Sequence, residues 1–295
     1  MRIRRSAALL ALLAGAVVPA LNAQAGRPYP VVLVLPASVR FAGLGGAGVP
    51  VIGDAGSVFV NPAGLAAVPR LGIEGAYDRY AGTASQSMAA LALRVGQFDF
   101  GAGAHYVKFS DTAATRDNLV YAGTAVYRFG LIALGGSLKY VSVTDSARQT
   151  SSAVTGDVGT TIALFDILAL AVSVQGLGQH VISRGGLDLP TTTHAGVTFN
   201  FIDPQGTLRL RGILESVWSE RGPRRTIIGG EVGVAVGGVT LTGRTGFGAQ
   251  PEGSGASEQS WGATLGFRHL KLDWAYQRRT VLGSDVERIG LRWTR

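Results

Sequence analysis

Residues 43–48, Gly-Leu-Gly-Gly-Ala-Gly, carry the G-x-G-x-x-G spacing of a loop that cradles a dinucleotide pyrophosphate, and residues 31–35 would supply a strand ahead of it. That chemistry also needs a helix directly after the loop and an acidic residue about 20 positions further on. Pro50 and Gly53 follow instead, with no helical period. The four histidines (His105, His180, His194 and His269) lack metal-ligand spacing, and no G-x-S-x-G nucleophile motif is present. An esterase embedded in a wall of strands would pair a His with a Ser on neighbouring strands, and nothing in the sequence marks His105 or His194 for that role. The chain has no cysteine, which removes thiolate chemistry, disulfides and a lipoprotein anchor. The sequence thus nominates no catalytic residue, no metal ligand and no cofactor site. What remains is charge, and its placement depends on the elements that carry it.

Those elements are strands. Leu208, Leu210, Leu214 and Trp218 alternate with Arg209, Arg211 and Glu215, and Leu270, Leu272, Trp274 and Tyr276 alternate with Lys271, Asp273 and Gln277. Period two is the signature of a strand with one apolar and one polar face. Read this way, the chain from residue 71 predicts 14 strands, near 71–80, 85–94, 97–109, 117–129, 131–144, 151–165, 167–177, 190–201, 206–218, 225–237, 238–248, 259–269, 270–280 and 285–294. Most reach the roughly 9–11 residues that a tilted strand needs to cross a bilayer. Short turns follow most even strands. Longer loops (110–116, 145–150, 178–189, 219–224 and 249–258) follow most odd ones. Such alternation is the pattern of an outer-membrane barrel, with short periplasmic turns, and an even count puts both ends of the wall on the periplasmic side. A soluble sandwich would also alternate, but would not need strands this long or loops that switch in step. A solenoid would show a fixed repeat, and none is present.

With the apolar face turned to lipid, the polar face looks into the lumen. It carries Glu74, Asp78, Asp99, His105, Lys139, Asp157, Arg209, Arg211, Glu215, Glu231, Arg244, Arg268, Lys271, Asp273, Arg288 and Arg292. Both signs are present. The set reads either as a polar pathway for solute or as inter-strand ion pairs filling a closed lumen. Gly101, Gly103, Gly135, Gly159 and Gly266 share that face, where a missing side chain permits curvature or lets another segment approach the wall.

The N-terminus supplies such a segment. Residues 1–25 combine Arg2, Arg4 and Arg5, an apolar core over 7–18 and a small-x-small site at Ala23-Gln24-Ala25, the parts of a cleaved signal peptide. Without those three arginines the chain holds 24 basic and 19 acidic residues, spread without a run of the kind nucleic-acid binding uses. No later apolar run reaches the length of a membrane helix. Residues 26–70 are Gly-rich, poor in charge and rich in turns, and a 14-stranded barrel leaves a lumen that its own side chains do not fill. The expected organisation is therefore signal peptide 1–25, a plug over 26–70, and an all-β transmembrane antiparallel barrel over 71–295.

Residues 39–66, VRFAGLGGAGVPVIGDAGSVFVNPAGLA, resemble the N-terminal signature of the FadL-like outer-membrane proteins, especially their PorV/PorQ branch. The matching positions are Gly43, Gly45, Gly46, Gly48, Asp54, Asn61, Pro62, Ala63 and Gly64. The resemblance implies a 14-stranded barrel with an N-terminal hatch inside. It also implies passive uptake of hydrophobic molecules or, in the PorV branch, service to a type IX secretion system. A structural barrel without transport is the third reading. The implied partners are outer-membrane lipid, the barrel-assembly machinery, a small hydrophobic solute and possible secretion proteins, with no nucleic acid. Asn61-Pro62 is expected to fix a turn of the hatch, and 43–48 to pack on the inner wall.

Overall fold

The computed structural model describes residues 30–80, 84–110, 113, 115–187, 189–202, 206–220, 222–249, 258–278, 280, 282 and 284–295. The expected signal peptide lies outside these residues.

The wall consists of β1 (Leu71–Tyr80), β2 (Ala84–Val95), β3 (Phe98–Phe109), β4 (Thr115–Phe129), β5 (Ile132–Asp145), β6 (Thr150–Leu164), β7 (Leu168–Arg184), β8 (Thr192–Ile202), β9 (Leu208–Ser219), β10 (Gly222–Val236), β11 (Val239–Ala249), β12 (Glu258–Phe267), β13 (Leu270–Arg278) and β14 (Val286–Thr294). Each strand pairs antiparallel with its chain neighbours, and β1 pairs with β14 to close the barrel. Closure leaves no unpaired edge, the condition a sheet must meet to sit in lipid. Tight turns at 96–97, 130–131, 165–167, 237–238 and 268–269 mark one end.

The alternation expected from sequence sets the two faces. Ile73, Tyr77, Leu91, Leu93, Leu134, Leu138, Leu241 and Leu265 project outward and are 42–70% exposed, as a lipid-facing surface requires. Tyr127, Phe129 and Phe267 lie on that surface toward the short-turn end, and Tyr77, Phe247 and Trp261 toward the other. Such bands suit the two membrane–water interfaces.

Two expectations need correction. The stretch 178–189 is not wholly a loop, because β7 continues to Arg184. Its pairing with β6 slips between Val154 and Val158, and its pairing with β8 ends at Gln175. Gly176 and Gly178 take positive φ of 78° and 71° there, which breaks the alternation that strand reading relies on. Arg268 does not face the lumen. The strand stops at Phe267, and Arg268 occupies the turn at φ 51°, exposed, with its guanidinium stacked 5.3 Å above the Phe267 ring.

The lumen is filled by residues 30–70. They form short helical turns at Val31–Leu33, Val39–Ala42, Ala55–Phe59 and Pro62–Ala67, joined by tight bends. Phe41, Leu44, Val58, Leu65 and Val68 are at most 1% exposed. The main buried apolar cluster therefore lies between plug and wall, joining Val58, Phe59 and Leu65 to Ala92, Val107 and Val126.

Candidate functional site

The site is the contact between plug and wall. Shape comes first. A Cβ built on Gly246 of β11 would lie 2.1 Å from the backbone of Leu44 and Gly45, and one on Gly135 of β5 would lie 2.7 Å from Ala63 N. On Gly159 it would meet Asn61 Oδ1 at 2.1 Å, and on Gly101 and Gly103 it would strike Leu65 and Phe59 at 2.5 and 2.6 Å. These wall glycines are hollows that the plug occupies. Gly266 differs, because its nearest neighbours are the Thr240 and Lys271 side chains of the wall itself.

Hydrogen bonds then fix the plug's orphan backbone groups. Asn61 caps the turn Pro62–Ala67 by accepting from Ala63 N at 3.1 Å, and its Nδ2 donates to Val49 O at 2.9 Å and to Thr161 Oγ1 at 3.2 Å. Glu215 accepts from the amides of Gly48 and Val49 at 2.9 and 3.0 Å and is 2.8 Å from His194 Nδ1. Glu74 accepts from Gly56 N at 2.9 Å. Lys139 donates to Phe59 O at 2.7 Å and pairs with Asp157 at 2.5 Å. Arg288 donates to Pro36 O at 2.6 Å and lies 3.2 Å from Asp78. Gly45, at φ 73°, donates to Ser260 Oγ at 2.8 Å. Gly43 lies against Arg244, and Gly64 against Ser57 within the plug. Asp99, by contrast, binds Arg94 and Arg128 of the wall, each at 2.8 Å.

Charge completes the dock. Arg40 donates from Nη1 to Asp54 at 2.7 Å and grips both carboxylate oxygens of Glu231 with its Nε and Nη2, at 2.9 and 2.5 Å. Glu231 lies 3.3 Å from Arg244, Arg244 lies 3.3 Å from Asp273, and Asp273 takes Arg292 at 2.5 Å. Arg292 returns to Asp54. The six side chains form a closed ring of three cations and three carboxylates in alternating sign. Two members come from the plug, and four come from β10, β11, β13 and β14. Burial alone would push the Asp54 carboxyl up, but Arg292 and Arg40 hold it well below the usual carboxylate range. Burial opposes the Arg40 charge too, and Glu231 and Asp54 more than restore it, so its guanidinium is held more firmly protonated than usual. A ring of this kind keeps each buried charge paired, as the low-dielectric interior demands.

The sequence marks Asp54, Glu231, Arg244, Asp273 and Arg292 separately; the fold brings them together. Arg40 was missed. Its signal was available, since Arg40 and Asp54 are the only charged residues between 30 and 69 and have opposite sign.

Two cavities lie on either side of the plug. One, of about 370 Å³, sits toward the long-loop end and is lined by Val32, Leu33, Leu35, Val120, Leu189 and Ile227, with His105 buried among its polar groups. His105 stacks edge-on to Phe59 at 5.7 Å, and its Nε2 finds no hydrogen-bond partner among the described residues. The other cavity, of about 300 Å³, lies toward the short turns and is polar, with Arg209, Arg211 and Lys271 on its wall. No cluster of three or more His, Asp or Glu placed to hold a metal occurs among the described residues.

No protein-family model matches the chain, and no curated protein matches it. Solved structures do. The Ralstonia pickettii toluene transporter TbuX aligns over 87% of this chain and 98% of its own, with TM-score 0.60 and 13% identity. The CymD monoaromatic hydrocarbon channel covers 89% and 98%, with TM-score 0.63 and 13% identity. A Pseudomonas aeruginosa FadL homologue covers 88% and 98%, with TM-score 0.56 and 12% identity. At these identities the likeness is one of fold, and the chain has the fold of the FadL-like barrels: fourteen strands around an N-terminal plug.

Proposed function

We propose that this protein is an outer-membrane barrel that passively admits small hydrophobic molecules, with residues 26–70 as the hatch that must shift to let them through. The observation that carries the reading is the mostly apolar cavity of about 370 Å³ set directly against the plug at the long-loop end. A concave, mostly apolar site with a few polar groups is the usual form of a small-molecule site. Val32, Leu33 and Leu35 belong to the plug itself, so a solute resting there touches the element that has to move. The solved structures of like fold include toluene transporters and a monoaromatic hydrocarbon channel, which makes an apolar solute the first class to test. On this reading residues 1–25 direct export and are removed, the barrel-assembly machinery inserts the wall, and movement follows the concentration gradient.

The test is entry of labelled toluene, and of a sugar of similar size, into vesicles of lipopolysaccharide-containing outer membrane with and without the protein. Toluene entry is expected to rise several-fold while sugar entry stays unchanged. Equal toluene entry in both preparations would sink the transport reading. It would leave the secretion-component and structural-barrel readings.

A further inference from the structure

The polar cavity at the short-turn end has a charge imbalance that the ring does not resolve. Of the charged residues on its wall, Arg40, Asp54, Glu231, Arg244 and Arg292 belong to the ring, which is neutral once Asp273 is counted. The three left over, Arg209, Arg211 and Lys271, are all cations.

Among the described residues their partners do not neutralise them. Arg211 donates to Asn200 Oδ1 at 2.8 Å and lies 3.2 Å from Glu231, a carboxylate already shared by Arg40 and Arg244. Among the described residues Arg209 reaches only Gly206 O, at 3.5 Å. Lys271 makes no direct hydrogen bond or ion pair to another described residue. Its stem runs past Gly266, where a Cβ would come within 3.4 Å of Lys271 Cγ, so the glycine leaves the stem its room. Hydroxyls of Thr240 and Thr242 stand on the same wall as further donors. Cations gathered in a confined, low-dielectric space repel one another, and an anion with several acceptor oxygens relieves that repulsion while taking the free N–H groups.

We propose that this cavity binds a small oxyanion, a carboxylate or a phosphate, held by Arg209, Arg211 and Lys271. The site does not depend on the transport reading: binding without toluene entry leaves it standing, and toluene entry without binding removes it.

Titration calorimetry of the full chain in a non-ionic detergent tests it, with sodium phosphate and sodium succinate in separate arms and sodium chloride at matched ionic strength as the control. The expected result is saturable binding in one or both oxyanion arms and none with chloride. The arm that saturates at lower concentration identifies the source. Lys271→Gln and Arg209→Gln should each weaken binding by about tenfold, the loss of one charge-assisted hydrogen bond, and Lys271→Arg should retain it. Heat-modifiable gel migration checks that each variant keeps its barrel. The proposal is overturned by no saturable binding in either oxyanion arm, by equal heats with chloride, or by unchanged affinity in a folded Lys271→Gln/Arg209→Gln double variant.

Discussion

Asp54→Asn is expected to loosen the plug while leaving the barrel closed. The substitution removes one of three carboxylates from the ring and leaves Arg40 and Arg292 facing each other across a neutral amide. Removing one partner of a buried ion pair typically costs about 3–5 kcal/mol, because the other charge stays buried without compensation. The cost falls on docking, since the wall strands keep their ladder of backbone hydrogen bonds. Limited proteolysis of the plug should therefore speed up, while heat-modifiable migration stays normal. Arg40→Gln should do the same with the opposite sign of imbalance. The double variant Arg40→Gln/Asp54→Asn leaves two cations and two carboxylates on the wall, Arg244 and Arg292 with Glu231 and Asp273. It should thus disturb docking by less than the sum of the single changes, as coupled neighbours do. If the single changes simply add, the six residues do not act as a ring. The pH dependence has a definite sign. A carboxylate whose folded pKa is depressed stabilises above its unfolded value near 4, and the contribution is lost as pH falls through the lower folded value. Asp54 is such a group. Its contribution to docking should be constant from about pH 5 upward and fade only in stronger acid.

Gly246→Ala is expected to displace the plug by shape alone. The new methyl would sit 2.1 Å from the backbone of Leu44 and Gly45, and backbone cannot step aside as a side-chain tip can. Overpacking of a tight contact costs about 1–3 kcal/mol and occasionally more. Gly123→Ala is the matched control: it is also a wall glycine, in β4, with nothing within 4 Å of the built Cβ. It should change stability by no more than about 0.5 kcal/mol. Thermal unfolding and proteolysis of the plug, measured side by side, check both. Equal behaviour of the two variants would mean that the wall glycines are not hollows for the plug.

The wall was legible in the sequence because each strand faces lipid on one side and a polar lumen on the other, and that contrast writes itself as period two. Leu270 to Gln277 reads correctly for this reason, and β13 spans Leu270–Arg278. The reading failed where the physical contrast lapses. In β7 the run Gln175-Gly176-Leu177-Gly178 bends through positive φ, and the strand resumes in a shifted register that no alternation announces. At Arg268 the alternation itself continues, but the strand has already ended, so a residue of inward parity sits in a turn. The plug has neither period, since it is held by contacts to residues distant in the chain, such as Lys139 on Phe59, 80 positions away, and Arg292 on Asp54, 238 positions away. Sequence could list the wall's charges, but only the closed barrel shows that Glu231, Arg244, Asp273 and Arg292 stand around one point and that Arg40 enters between them.

The central claim is that the docked plug blocks a passage and must shift to open it. The chain has no cysteine of its own, so a single engineered pair can test this without background. A Cβ on Gly290 of β14 would lie 3.3 Å from Val39 Cβ, close to the roughly 3.5–4.5 Å that a disulfide spans, and Val39 adjoins Arg40 of the ring. In the Val39→Cys/Gly290→Cys variant, toluene entry into outer-membrane vesicles is measured before and after reduction. Entry is predicted to fall to the protein-free rate when the pair is oxidised and to recover when it is reduced. Equal entry in the two states would contradict the account.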